Sequence, residues 1–133
     1  MIRAVAGAHA LYWYLDADPR LSKTAKAAID SANQNGDQIG VSSISLIEIA
    51  YLAEKGKVPI IAFDRIVALL NLPNGVFEET QVDQQVADAL RKIDRAQVPD
   101  MPDRIIAATA LMLGVPVISR DGKIQSSIVT TIW

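Results

Sequence analysis

The chain has 133 residues, of which half are hydrophobic and 21% are charged, so it suits a single domain over residues 1–133 with a buried core rather than a disordered segment. Because cysteine is absent, disulfides, thiolate metal sites and cysteine nucleophiles are excluded, and a metal could bind only to oxygen atoms or to the single histidine, His9. The net charge of −2 gives no overall attraction for nucleic acid, so any RNA binding would depend on a local basic patch or on a metal.

Short apolar segments alternate with longer segments of helical periodicity along the chain. The predicted strands are Ile2–Ala6, Asp37–Val41, one that opens at Gly75–Phe77, Val115–Ser119 and Ile128–Trp133. The predicted helices are His9–Leu15, one that follows the N-cap Ser22 and ends at Gly36, one around Glu48 that ends at Gly56, Ile60–Leu70, Val82–Ile93 and Asp103–Leu113. This alternation predicts an α/β fold with a mainly parallel sheet flanked by helices, which binds ligands beyond the carboxyl ends of its strands.

The first twenty residues lack the long apolar run of a signal peptide. Asp16 and Asp18 also interrupt the apolar segment before it reaches membrane-spanning length. We therefore expect a cytoplasmic protein that does not associate with a membrane.

Three carboxylates, Glu48, Asp103 and Asp121, each follow a predicted strand closely or stand at the start of a helix. In a parallel sheet these places meet at one edge, and carboxylates gathered there repel one another unless a cation offsets their charge. Oxygen ligands favour Mg²⁺ or Mn²⁺, which can activate water for phosphodiester hydrolysis. Since the chain has fifteen acidic residues, solvated surface carboxylates and helix caps are the alternative explanation.

Three segments resemble the VapC-type toxins of the PIN-domain family: AHALYWYLDADPRLS (8–22), SSISLIEIAYLAEKG (42–56) and DMPDRIIAATALMLGVPVISRDGKI (100–124). The resemblance extends over nearly the whole chain. It implies a single PIN-like domain with a five-stranded sheet, RNA cleavage that depends on Mg²⁺ or Mn²⁺, a cognate antitoxin as partner and a homodimer.

The resemblance also implies which acids bind metal and catalyse. Glu48 matches the acid of the S-x-x-E segment, Asp103 matches the acid before the RIIAATA helix, and Asp121 matches the acid of the SRD turn. Asp100 is a possible outer ligand, and a loop aspartate that faces solvent is the alternative.

The sequence departs from the family pattern at the end of the first strand, where Gly7 and Ala8 replace the usual Asp-Thr before His9. The missing aspartate removes a ligand and a negative charge, and the missing hydroxyl removes a supporting group. We expect weaker metal binding and weaker water activation. A weakened enzyme, a degenerate family member and an altered sequence all remain open.

Several neighbouring residues allow two interpretations. His9 could act as a general base, but we favour a structural role, and Ser43 could contact a ligand water or cap the Glu48 helix. Arg104 and Arg120 could bind phosphate or form salt bridges with the adjacent acids.

Apolar residues near the candidate site also allow two interpretations. The aromatic run Tyr12–Tyr14 could stack on bases, but we favour core or dimer contacts, with at least one ring buried. The apolar residues around the third and fourth helices could line a partner groove or pack into the core, and we expect core for most of them. They are Ile47, Tyr51, Leu52, Ile60, Ile61 and Phe63.

Three functions follow as hypotheses. The first is a metal-dependent endoribonuclease of toxin type, and the second is an inactive binding module that retains its antitoxin surface. The third, a nucleotide-binding or receiver-like domain, lacks both a phosphate-binding glycine loop and an acidic residue after the first strand.

Overall fold

The computed structural model describes residues 1–125 and 127–133. Its five strands are β1 (Ile2–Ala6), β2 (Gln38–Ser42), β3 (Phe77–Thr80), β4 (Val117–Ile118) and β5 (Thr131–Ile132). They form one sheet in the order β3-β2-β1-β4-β5, and every neighbouring pair is parallel. The predicted α/β fold with a parallel five-stranded sheet is therefore confirmed.

Helices connect the strands and cover the sheet. They are α1 (Ala8–Leu15), α2 (Lys23–Gln34), α3 (Ser43–Glu54), α4 (Ile61–Leu70), α5 (Gln84–Leu90), α6 (Met101–Leu113) and α7 (Gly122–Gln125). Ser22 caps α2 as predicted, since its hydroxyl accepts the Ala25 N–H at 3.0 Å. Gly114 ends α6 in the left-handed conformation, with φ of 69°, which glycine adopts without a steric penalty.

The side chains of β1 alternate between two hydrophobic clusters. Ala4 and Ala6 face a cluster that includes residues of α1, α2 and α4, whereas Val5 faces a cluster that includes residues of α5, α6 and α7. β4 repeats the pattern, with Ile118 in the first cluster and Val117 in the second. The central strands are thus buried on both faces, which explains why they are continuous apolar runs in the sequence.

Each predicted strand exists, but several element bounds were wrong. β4 and β5 have two residues each because the apolar runs that predicted them extend beyond the paired segments. α5 begins after Asp83, which caps it, and ends at Leu90, so it is shorter than Val82–Ile93. α6 begins at Met101, earlier than predicted, because Asp100 is its N-cap. α7 was not predicted.

The expectation that most of the six apolar residues around α3 and α4 lie in the core was wrong, because four of them are exposed. Ile47 and Tyr51 are 51% and 59% exposed, and Ile60 and Ile61 are 85% and 58% exposed. Leu52 and Phe63 pack partly against the first cluster. Helical periodicity shows that a face is apolar, but does not show whether this chain or a partner covers it.

None of the helices in the described part of the chain is both long enough and apolar enough to span a membrane.

Candidate active site

The candidate acids converge because of the sheet topology. β2 leads directly into α3, which carries Glu48, and β4 is followed by the turn that carries Asp121. α6, with Asp103 in its first turn, packs against β1 and α3. The strand order reverses between β1 and β4, and in open parallel sheets such a switch point opens a crevice at the carboxyl edge.

One cavity of about 500 Å³ lies at this edge, and four carboxylates line it. They are Glu48, Asp100, Asp103 and Asp121. The structure therefore brings together all three predicted site acids and the possible outer ligand. Gly7, the position of the missing acid, lies at the same cavity.

The carboxylates are crowded enough to change their ionisation. Burial, together with the charges of Asp103 and Asp100, raises the pKa of Glu48 to about 7. Burial also raises the pKa of Asp103 well above its ordinary value, together with the charge of Asp100, that of Asp121 and hydrogen bonding to both. Each cause penalises negative charge in the cavity, so the site as it stands favours binding a cation or a proton.

Two of the acids are positioned by backbone hydrogen bonds. Asp121 accepts the backbone N–H groups of Lys123 at 2.8 Å and Ile124 at 3.1 Å, and so fixes the start of α7. Asp100 accepts the Asp103 N–H at 3.2 Å as the cap of α6. Asp100 is exposed, as the loop alternative predicted, but it also faces the cavity.

The donor set fits a hard divalent cation, because it consists of carboxylate oxygens that repel one another. The fit is incomplete in one respect. Within residues 1–125 and 127–133, no three carboxylate or imidazole groups stand close enough to hold a metal ion without rearrangement. Mutual repulsion and the lack of a carboxylate at position 7 both act against a closed ligand set.

The backbone does not require glycine at position 7. Gly7 has φ of −68° and ψ of 162°, which any residue adopts, and its N–H donates to the Ile118 carbonyl at 3.0 Å. A Cβ atom built there would lie 3.4 Å from that carbonyl oxygen and 3.9 Å from Ser119 Cβ, which are ordinary contacts. An aspartate would therefore fit at the N-cap of α1 without backbone strain.

The arginines beside the acids do not form the salt bridges that we considered. Arg104 donates to the carbonyls of Leu90 and Ile93, at 3.1 and 2.9 Å, and so ties α6 to the end of α5. Arg120 places its guanidinium 4.5 Å from the centre of the Trp13 ring. Backbone acceptors and an aromatic face thus take the place of the expected carboxylate partners.

Trp13 is the buried ring expected of the aromatic run, at 3% exposure. His9 lies 5.6 Å from it and Trp133 6.0 Å, and all three line the cavity. His9 keeps contact with solvent, yet partial burial lowers its pKa, as do the charges of Arg120 and Arg20. Trp133 was missed by sequence reasoning, since its contact with Trp13 comes from tertiary packing alone.

The third helix is capped differently from one of our predictions. Ser42 is its N-cap and accepts the Ile44 N–H at 3.2 Å. Ser43 instead donates to the Glu79 carboxylate at 2.8 Å, and so connects α3 to β3. The adjacent serine has the same chemistry, so local sequence could not distinguish the two.

Comparisons with known proteins agree with this fold. Residues 7–127 match the PIN domain family. The chain is 29% identical to "Ribonuclease VapC22" of Mycobacterium tuberculosis, over 95% of this chain and 92% of that protein. Its fold is similar to the crystal structure of VapBC2 from Rickettsia felis bound to a promoter DNA fragment, with a TM-score of 0.72, 16% identity and coverage of 98% and 97%.

A second solved structure, a toxin-antitoxin complex from Klebsiella pneumoniae, has a TM-score of 0.63 at 18% identity, with coverage of 98% of this chain and 96% of that one. At such identities these two likenesses concern the fold. The family match covers most of the chain and includes Glu48, Asp103 and Asp121. The protein belongs to the PIN domain family.

Proposed function

We propose that this protein is a metal-dependent endoribonuclease, the toxin component of a toxin-antitoxin system, and that Glu48, Asp103 and Asp121 bind Mg²⁺ or Mn²⁺. The observation that carries the proposal is the convergence of these carboxylates on one cavity at the carboxyl edge of a PIN-family sheet. The likeness to a ribonuclease over 95% of the chain supports RNA as the substrate.

The four carboxylates would have different roles in the site. Glu48 and Asp103, whose pKa values are raised, supply negative charge that is costly without a counterion and would hold the cation. Asp121 is fixed in place by the backbone of α7. Asp100, exposed at the rim, would contact the cation through water. A bound divalent cation would supply a water of lowered pKa and stabilise charge on the phosphate.

The test is cleavage of a panel of labelled RNAs in Mg²⁺ or Mn²⁺. The protein should cut, and Asp103→Asn should not, since the substitution removes a charged ligand but keeps the shape of the side chain. Gly7→Asp should cut faster because it restores a carboxylate where the backbone accepts one, and Gly7→Asn controls for the added volume. Equal cutting by the protein and by Asp103→Asn would refute the assignment of the site.

A second candidate function is an inactive binding module that keeps the antitoxin surface. Gly7 favours it, because the cavity has no carboxylate at that position. Cleavage by Gly7→Asp but not by the unmodified protein would support this function. The acids already present would then form a site that lacks only one ligand.

Both candidates include an antitoxin partner, and the surface that fits it is the exposed apolar face of α3 and α4. A cavity of about 480 Å³ opens there between Leu46, Ile47, Tyr51 and Phe63. One of the similar solved structures is a toxin-antitoxin complex and the other is VapBC2 on promoter DNA, so we assign this face to an apolar segment of the antitoxin. We also expect a homodimer.

The antitoxin assignment is tested by co-purification with the co-expressed cognate antitoxin. Ile47→Glu should abolish the complex, because it places a charge in the groove. Ile128→Glu, which changes another exposed isoleucine at 63% exposure, should leave it intact. Equal losses would show that the effect is not specific to the face. Light scattering of the protein alone measures whether it is a dimer.

A further inference from the structure

The active-site cavity is also lined by a positively charged side chain, Arg120, which lies against a group of aromatic side chains. Arg120 follows β4 and directly precedes Asp121, whose bonds to the start of α7 fix the turn. Its guanidinium lies 4.5 Å from the centre of the Trp13 ring. Trp13 is 3% exposed and also contacts His9 and Trp133, so the ring is a fixed platform.

Arg120 differs from the other arginines around the cavity in the use of its donors. Arg20 also approaches the Trp13 ring, at 4.9 Å, but Asp18 binds its guanidinium at 2.7 and 3.1 Å. The donors of Arg104 are taken by backbone carbonyls. Across residues 1–125 and 127–133, the Arg120 side chain forms neither a hydrogen bond nor a salt bridge, although it is exposed at the cavity.

Stacking and phosphate binding use different parts of a guanidinium. The aromatic ring contacts its face, while its N–H donors point outward in the plane and remain open to an oxygen pair. A stacked guanidinium has also lost much of its freedom before a ligand arrives, which reduces the entropic cost of binding. Arg120 therefore presents a preorganised anion contact beside four carboxylates that would repel the same anion.

We propose that Arg120, stacked on Trp13, is a positioning residue that binds a phosphate of the RNA strand next to the acid cluster. The proposal rests on the proposed nuclease function for its choice of ligand. A chain with a net charge of −2 lacks a general attraction for RNA, so RNA binding depends on a local basic group or on a metal, and Arg120 is the basic group at this cavity. The bidentate donors of Arg120 match the paired oxygens of a phosphodiester.

The test is equilibrium binding of a fluorescein-labelled single-stranded RNA, measured by anisotropy in chelator over a range of KCl concentrations. One phosphate contact contributes about 0.7 to the slope of log K against log salt, or about fivefold in affinity at 0.1 M salt. Arg120→Ala should lose both. Arg120→Lys should keep the slope, because it keeps the charge, but should bind less tightly because it loses the planar fork.

The matched control is Arg3→Ala, which removes the same side chain at the amino end of β1, where Arg3 pairs with Asp37 at 2.7 Å. It should bind RNA like the unmodified protein, and thermal melts should show both variants folded. Equal weakening by the two variants, no weakening by Arg120→Ala, or no RNA binding by the unmodified protein would overturn the proposal.

Two further results separate this proposal from its neighbours. If Arg120→Ala weakens binding to polyglutamate as much as binding to RNA, the assignment to RNA fails. The binding assay contains chelator and no divalent metal, so it measures RNA affinity independently of RNA cleavage. If the protein does not cut RNA but Arg120→Ala weakens RNA binding, the role of Arg120 stands and the nuclease function is refuted. If the protein cuts RNA equally well with and without Arg120, the nuclease function stands and the role of Arg120 is refuted.

Discussion

Replacing Glu48 by glutamine should stabilise the metal-free protein above neutral pH and leave its stability in acid nearly unchanged. Burial, with the charges of Asp103 and Asp100, raises the pKa of Glu48 from 4.5 to about 7. In the unfolded chain the carboxyl has its ordinary pKa, so between these two values the folded protein holds the proton more tightly. Its contribution to stability is full below about pH 4.5 and is lost as the pH rises through about 7.

The size of the effect follows from that difference in pKa. A shift of one in pKa corresponds to about 1.36 kcal/mol. For a fully buried carboxyl, the difference between the folded and unfolded pKa of Glu48 would therefore correspond to about 3 kcal/mol. Glu48 is only half-buried, and water screens part of the repulsion, so we expect about 1–2 kcal/mol at pH 8. Glutamine keeps the shape of the side chain and does not ionise.

The assay is urea denaturation in chelator at pH 4.5, 6 and 8. The difference in unfolding free energy between Glu48→Gln and the unmodified protein should grow with pH. Glu54→Gln, at an exposed position of the same helix, should show no such trend. Added Mg²⁺ should stabilise the unmodified protein at pH 8 more than Glu48→Gln. A difference that is constant with pH, or that shrinks as the pH rises, would refute the assignment of a crowded, half-buried carboxyl.

Four further predictions concern single side chains. Gly7→Asp should bind Mn²⁺ at least about tenfold more tightly than Gly7→Asn in calorimetric titration, a change of about 1.4 kcal/mol, and equal affinities would contradict the missing-ligand explanation. Tyr14→Phe should lose about 1 kcal/mol in urea denaturation, since the Tyr14 hydroxyl donates to Asp30 at 2.7 Å, and an unchanged midpoint would show that this bond is not stabilising. Ser45→Ala should be neutral or stabilising by up to about 1 kcal/mol, because the buried Ser45 hydroxyl has no hydrogen-bond partner among the described residues. Ser42→Ala should lower the free energy of unfolding by about 1 kcal/mol because it removes the N-cap of α3. If Ser45→Ala lowers it by more than Ser42→Ala does, the Ser45 hydroxyl has a hydrogen-bond partner.

The sequence contained enough information to predict the convergence of the acids. Alternating strands and helices imply a parallel sheet, and a parallel sheet places the residues that follow its strands at one edge. Glu48 and Asp121 follow β2 and β4, and they line one cavity with Asp103. Their assignment to metal binding came from the family resemblance, and it remains a proposal.

Other features depend on tertiary contacts that periodicity does not encode. The apolar pattern of α3 correctly predicted a helix, but Ile47 and Tyr51 face outward because neither this helix nor its neighbours cover them. Arg120 precedes an acid in the sequence, which suggested a salt bridge, but in the fold Trp13 provides a stacking face within reach. The short β4 shows the same limit, since an apolar run does not mark where pairing stops.

The most direct test of the central claim is the anomalous scattering of a crystal of this protein soaked in Mn²⁺. We predict one strong peak within ordinary metal–oxygen bonding distance of carboxylate oxygens of Glu48, Asp103 and Asp121, with water on the side of Gly7. A fully occupied peak elsewhere, or none at this cavity at a Mn²⁺ concentration that supports RNA cleavage, would contradict the claim.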